Sequence, residues 1–478
     1  MTNTFTYESS LSSRYASKEM SYLFSDQNKY TTWRKLWVAL AEAEQSLGLS
    51  ITDTQIDSMK KNLHELDLHL VAEYEKKLKH DVMAHLHAFG DVCHEAKGIL
   101  HLGATSCYIT DNTDLIQMKS GLEILHHKIL VCIRSLNEFA KKYASLACLS
   151  FTHFQPAQPT TVGKRACLWI QDLLMDLHDI EEKMHGLRFL GAKGATGTQA
   201  SFLSLFSGDH NKVKQLDLIL AKKLGFERLM PISGQTYTRK QDVRVVSALS
   251  NFAATAHKIA SDIRLLSHLK ELQESFGENQ VGSSAMPYKR NPVKSERICG
   301  LARFLISIAE NPLYTTATQW LERTLDDSSN RRLCIPEAFL TADSVANLLI
   351  LVLDGLIVNP MKIHKNLFNE LPFMATENII MLCAKKGADR QQLHEALRKH
   401  SIQVLESIDQ GGSSSELIDK ILSDPLFAIT REELSMLMKE EQFVGRAPEQ
   451  VKEFLHEEVH PILKKFEHLT EYKPLVFV

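Results

Sequence analysis

Apolar residues recur at helical spacing along most of the chain, and strict strand alternation is scarce, so the pattern predicts an all-α protein. Trp33, Leu36, Trp37, Leu40 and Leu47 share one helix face, with Gly48 as the stop. Beyond Thr110-Asp111-Asn112, which read as a helix start, Leu115, Met118, Leu122, Leu125, Ile129, Cys132, Leu136 and Phe139 alternate spacings of three and four. A second long run is Val245, Leu249, Phe252, Ala256, Ile259, Ile263 and Leu266, and a third, broadly apolar, extends from Ala338 to Leu356. A helix over the first run would be on the order of 40 Å long at ~1.5 Å per residue. So long a stripe needs other long helices to cover it, from this chain or from partner chains, which predicts an extended bundle and a homo-oligomer.

The segments between these runs are rich in Gly, Ser, Thr and Pro: 103–112, 150–161, 191–201, 231–238 and 277–292. Loops on a rigid scaffold are where chemistry is expected. The partition is an N-terminal helical domain over 1–105, a long-helix domain over 106–358 and a helical C-terminal domain over 359–478, as a chain of 478 residues allows. A net charge of −3 gives no basic field for nucleic acid or anionic membrane. Anionic ligands must therefore be caught by local Arg and Lys clusters. The eight cysteines include no CxxC pair and read as buried thiols of a reducing compartment. The N-terminus has no secretory pattern, and the greasiest run, 348–353, is far short of the roughly 20 apolar residues of a membrane span. A cytoplasmic protein is the expectation.

The loop Gly282-Ser283-Ser284-Ala285-Met286-Pro287-Tyr288-Lys289-Arg290-Asn291-Pro292 combines backbone freedom, two directing prolines and positive charge. On composition it is either a closing loop or a basic connector. Thr152-His153-Phe154-Gln155-Pro156-Ala157-Gln158 sets a histidine beside groups able to orient its ring. Lys79-His80-Asp81-Val82-Met83-Ala84-His85-Leu86-His87 is histidine-rich, but His80 and His85 are five apart and no HExxH occurs, so a metal site is not expected. Leu102-Gly103-Ala104-Thr105-Ser106 offers hydroxyls and amides to an anion, while Asn112 and its flanking acids read as caps. The 191–198 stretch lacks the GK[ST] ending of a P-loop and reads as a close-packed turn.

The loop's residue order, GSSxMPxKxNP, resembles the mobile catalytic loop of the fumarase/aspartase superfamily, and Thr152–Gln158 resembles that superfamily's TH-x-Q-x-A-Q element. MPYKRNP, with His80–His85, Gly234–Lys240 and Glu322–Arg332, is similar to the adenylosuccinate lyases of the animal type, and the likeness covers essentially the whole chain. It implies a three-domain fold with a central helical bundle completed by tetramerisation, active sites built by three subunits, and no metal or organic cofactor. The implied reaction is β-elimination of fumarate from adenylosuccinate, giving AMP, and from the succinylated aminoimidazole carboxamide ribotide (SAICAR), giving AICAR. The resemblance makes Ser283 the general base, His153 the general acid and His80 their support. The chemistry adds Lys289 as stabilising charge for a serine base and Glu296 as a partner for His153 or Lys289. Substrate contacts carried over are Arg14, Tyr15, Lys79, Asp81, Thr105, Ser106, Gln235, Arg297, Arg323, Ser328 and Arg332. Lys79 stands where many relatives have Arg, which keeps the charge and loses the two-pronged hydrogen bond. The alternatives are another lyase of the superfamily, such as an argininosuccinate lyase, and a non-catalytic protein that retains the fold.

Overall fold

The computed structural model describes residues 7–277, 280, 282–469 and 472–474. Glu278, Asn279 and Val281 of the 277–292 loop lie outside the described residues. The apolar runs form helices, each longer than its stripe. We label α1 (Asp26–Ser46), α2 (Asp81–Val92), α3 (Ser106–Lys142), α4 (Val162–Gly186), α5 (Lys240–His268), α6 (Val293–Ile308), α7 (Asp326–Asp354) and α8 (Pro360–Met374). Helix α3 begins at Ser106, five residues before Asp111, and its 37 residues span about 55 Å. Asp111, Asn112 and Asp114 are therefore not caps. They lie one to two turns inside the helix, and Asn112 is spent on the Tyr108 and Gly191 carbonyls and the Leu190 amide.

Helices α3 to α7 pack as one bundle. Salt bridges join the starts of α3, α5 and α7, so these three run parallel. The Trp169 indole of α4 donates to Asp262 near the end of α5, and Cys334 of α7 meets the Ile308 carbonyl that ends α6. Helices α4 and α6 therefore run antiparallel to the other three. Close approach depends on small residues: a Cβ on Gly121 of α3 would sit 2.6 Å from the Phe339 ring of α7. Helix α7 is apolar and long enough to cross a membrane, but 83% of its apolar window is buried inside the protein, as in a core helix.

Among the described residues strand is confined to two short antiparallel pairs. The 150–161 segment, expected as loop, is a hairpin of β1 (Ala147–Thr152) and β2 (Gln155–Thr161). Two prolines in β2 disguise it in the sequence, and a two-stranded ribbon, being all edge, tolerates them. The second pair joins β3 (Leu272–Gln273), after α5, to β4 (Ile357–Val358), after α7. Beyond α8 a second core gathers residues 375–434, and Val451, Leu455 and Val459 return to the main core.

Candidate functional site

The parallel run of α3, α5 and α7 puts three positive helix ends at one end of the bundle, and α2 starts beside them. There a cleft of about 660 Å³ is lined by Lys79, His80, Asp81, Ser106, Gln235, Arg323, Ser328 and Arg332. These eight positions, scattered over 254 residues of sequence, were all expected to hold substrate or support catalysis. The helix ends add donors. Neither Thr105 before α3 nor Leu325 before α7 caps its helix with a side-chain hydrogen bond, which leaves first-turn amides for an anion. Thr105 itself is half-buried and adjoins the cleft through Ser106.

His80 is the N-cap of α2. Its Nδ1 accepts from the Met83 amide at 3.4 Å, so in the neutral ring the proton sits on Nε2. Lys79, just before it, is exposed in a left-handed conformation (φ 56°) that ends the preceding helix. Asp81 accepts from the Arg332 guanidinium at 2.7 Å. Burial pushes the Asp81 carboxyl up, but the Val82 amide, Arg332 and His80 outweigh it and hold the group below its ordinary value. Gln235 donates to the Ala195 carbonyl at 2.9 Å and accepts from the Cys107 thiol.

Behind the cleft lies a buried network that sequence reading missed. Arg239 pairs with Asp111 and Asp327 at 2.9 and 2.6 Å, and Arg331 with Asp114 and Asp242 at 2.9 and 2.6 Å. The Tyr237 hydroxyl accepts from Arg331 and donates to Asp242 at 2.6 Å. Burial drives the Tyr237 hydroxyl far above its ordinary value and raises Asp114, against the pull of Arg331. The network locks the three helix starts together, and Asp327 also holds Arg323 at 3.5 Å. The signal available in the sequence was Asp111 and Asp114, one turn apart on a helix otherwise apolar on that side.

The 191–198 stretch is a close-packed turn, as expected. A Cβ on Gly197 (φ 81°) would fall 2.0 Å from the Ser233 carbonyl, and one on Gly234 2.7 Å from that of Glu322.

The remaining predicted residues lie elsewhere in the chain. His153 and Phe154 are the two central residues of the hairpin, with φ of 53° and 57°. Both are exposed, and left-handed backbone at two non-glycine residues costs about 1–2 kcal/mol each. The hairpin follows the C-terminal end of α3, about 55 Å along the helix from Ser106. The eleven residues from Lys142 to His153 could span at most about 38 Å even fully extended. His153 therefore cannot reach the His80 cleft of its own chain. Among the described residues its ring has no hydrogen-bond partner.

The 277–292 loop sits at the same far end, since Gln273 pairs with Ile357 just beyond the last turn of α7. Gly282 is pinned by close contact: a Cβ there would meet the Lys289 carbonyl at 2.0 Å, while the Asn291 side-chain Nδ2 donates to the Gly282 carbonyl at 3.1 Å. The Ser283 oxygen accepts from the amides of Met286 at 3.1 Å and Ala285 at 3.3 Å. Lys289 is exposed and among the described residues makes no ion pair, and Arg290 lies 5.4 Å over the Phe276 ring. Glu296 is exposed on the first turn of α6 beside half-buried Arg297, and the structure brings it to neither His153 nor Lys289 as an ion pair. The carboxylate at work there is Glu274, which accepts from the Ser295 and Lys294 amides at 2.6 and 3.1 Å and so caps α6.

Arg14 and Tyr15 form a third location. The Tyr15 carbonyl accepts from Asn347, fifteen positions along α7 from Arg332, or about 22 Å. Among the described residues no three His, Cys, Asp or Glu side chains converge as a metal site.

The chain matches the family model described as lyase over residues 10–305 and that described as adenylosuccinate lyase C-terminus over residues 372–454. It is 49% identical over 464 residues to the adenylosuccinate lyase of Saccharomyces cerevisiae and 50% identical over 462 residues to that of Schistosoma mansoni, covering 96% of each chain in both cases. Among solved structures it resembles 3-carboxy-cis,cis-muconate lactonizing enzyme from Pseudomonas putida, with a TM-score of 0.82, 21% identity, and coverage of 96% of this chain and 99% of that one. It also resembles fumarate lyase from Mesorhizobium sp. BNC1, with a TM-score of 0.79, 22% identity, and coverage of 95% and 100%. At these identities the structural likeness is one of fold.

Proposed function

The chain belongs to the adenylosuccinate lyase family, carbon–nitrogen lyases of the fumarase/aspartase superfamily that release fumarate, and on that premise we propose that it serves purine nucleotide biosynthesis. It eliminates fumarate from adenylosuccinate, giving AMP, and from SAICAR, giving AICAR. The observation that carries this reading is the cleft at the shared start of α2, α3 and α7, where eight family-matched positions converge on helix ends suited to a phosphate and two carboxylates.

In the proposed mechanism the Ser283 oxygen removes the proton from the carbon next to a succinyl carboxylate. That carboxylate takes up the developing second charge, the carbon–nitrogen bond breaks, and His153 protonates the departing nitrogen. The Ala285 and Met286 amides support the serine oxygen, and the cations of the cleft support the intermediate. Lys289 adds charge when the loop closes, and His80 orients substrate through Nε2. Glu296 and Arg297 are kept as weaker contributors at the start of α6. The reading calls for no metal or organic cofactor and for a cytoplasmic enzyme.

One chain holds the cleft at one end of its bundle and Ser283 and His153 at the other. We therefore propose a homotetramer in which neighbouring subunits complete each site. The test is a spectroscopic assay with adenylosuccinate, SAICAR and argininosuccinate. Turnover of the first two supports the reading, and turnover of argininosuccinate alone overturns it. Ser283→Ala and His153→Ala should each abolish most turnover. Normal turnover in either variant would remove that residue's role. Mixing Ser283→Ala with the cleft variant His80→Ala, which place their lesions at opposite ends of the bundle, should restore part of the turnover under subunit exchange, and an inert mixture would refute sharing.

A further inference from the structure

Lys128 on α3 and Asp343 and Asn347 on α7 form a polar node inside the bundle, exposed by 1%, 0% and 0%. Lys128 donates to Asp343 and, at 2.8 Å, to the Asn347 side-chain oxygen. Asn347 donates to Asp343 at 3.1 Å. A charged cluster so placed is not justified by stability, since apolar residues of equal volume would serve at least as well. What the node does is grip the N-terminal segment on both sides of Ala16. Asp343 accepts from the Ser17 amide at 2.6 Å, and Asn347 donates to the Tyr15 carbonyl at 3.3 Å. Ser17 in turn caps the next helix by accepting from the Met20 amide. The near side of the node is closed by Tyr472, whose hydroxyl donates to Asn347 at 3.3 Å and whose ring lies 4.9 Å from the Lys128 ammonium.

Arg14 and Tyr15 precede these two anchored points directly, Arg14 being exposed and the turn Leu11–Tyr15 packing along α7. We propose that Asn347, with Lys128 and Asp343, is a positioning residue: it fixes the backbone that presents Arg14 and Tyr15 to the substrate, and Tyr472 completes the fixture. The inference rests on the reading of Arg14 and Tyr15 as substrate contacts. Because those residues hold substrate and do not react, loosening their mount should act on KM and leave kcat alone.

The test compares Arg14→Ala, Asn347→Leu, their double variant and Tyr472→Phe as tetramers of unchanged circular dichroism. Asn347→Leu should raise KM for adenylosuccinate about tenfold, the worth of one well-placed hydrogen bond, with kcat within about twofold. Arg14→Ala should also raise KM, and the double variant should do little more than either alone, because the node acts through Arg14. Tyr472→Phe removes one hydroxyl without touching the core, so it stays informative if Asn347→Leu fails to fold. It should raise KM about two- to threefold. A rise in KM for Arg14→Ala with none for Asn347→Leu or Tyr472→Phe, or strict additivity, would overturn the positioning role while sparing the substrate contact. No change in KM for Arg14→Ala itself would remove the contact, and the inference with it.

Discussion

Glu44 on α1 is fully buried, and among the described residues neither carboxylate oxygen has a hydrogen-bond partner. Burial pushes it from 4.5 up to about 8, so in the folded protein it is neutral at pH 7 while in the unfolded chain it is ionised. Between these two values the folded state binds the extra proton, and stability falls as pH rises. The slope is about 1.4 kcal/mol per unit. Stability is full below about pH 4.5, and the loss is complete above about pH 8, where it reaches roughly 5 kcal/mol. Glu44→Gln keeps the shape of the neutral acid and cannot ionise. An unfolding entropy near 2 cal/mol/K per residue gives this chain about 1 kcal/mol/K, so the variant should melt about 5 °C above the wild type at pH 8 and within about 1 °C of it at pH 5. Burial within one chain makes the effect independent of assembly. The assay is a melting series by calorimetry at fixed scan rate from pH 5 to 8 for both proteins. Parallel curves across that range would show that Glu44 is solvated or paired in solution and refute the reasoning.

The buried network and the pinned turns give further expectations. Tyr237→Phe removes a hydroxyl that both accepts from Arg331 and donates to Asp242, so it should cost about 1–3 kcal/mol in denaturant unfolding and raise KM by loosening the helix starts. Gly197→Ala adds a Cβ 2.0 Å from the Ser233 carbonyl at a positive φ. It should cost at least about 2 kcal/mol and weaken substrate binding through Gln235, measurable as a lower Tm and a higher KM. Glu274→Ala leaves the start of α6 uncapped. It should cost about 1 kcal/mol and, on the proposed role of Ser283, lower kcat with little change in KM, because α6 follows the 277–292 loop directly. Glu296→Ala, by contrast, should leave stability within about 0.5 kcal/mol, since Glu296 is exposed.

The long helices were legible because their apolar stripes keep a helical period, and the cleft residues were legible because their motifs keep a fixed order. What escaped was long-range pairing. Asp111 looked like a cap because a sequence window shows its neighbours and not Arg239, 128 positions away, which buries its charge. The hairpin escaped because Pro156 and Pro159 argue against strand, while the strained turn at His153 and Phe154 carries no glycine to announce it. Glu274 went unread because nothing in its own segment marks it as a cap, and the folded chain brings it back onto the helix start from 21 positions away. Spacing along a helix can be read from one segment. Which carboxylate finds which amide depends on how the segments dock.

Helix α3 carries the cleft at one end and the His153 hairpin at the other, so under the proposed shared-site reading a protomer alone cannot complete a site. Its specific activity should therefore depend on concentration: on dilution into the range where subunits part, turnover should fall while the helical signal stays. The length of one helix then sets more than architecture. Under that reading it makes the amount of enzyme present a control on the activity of each molecule.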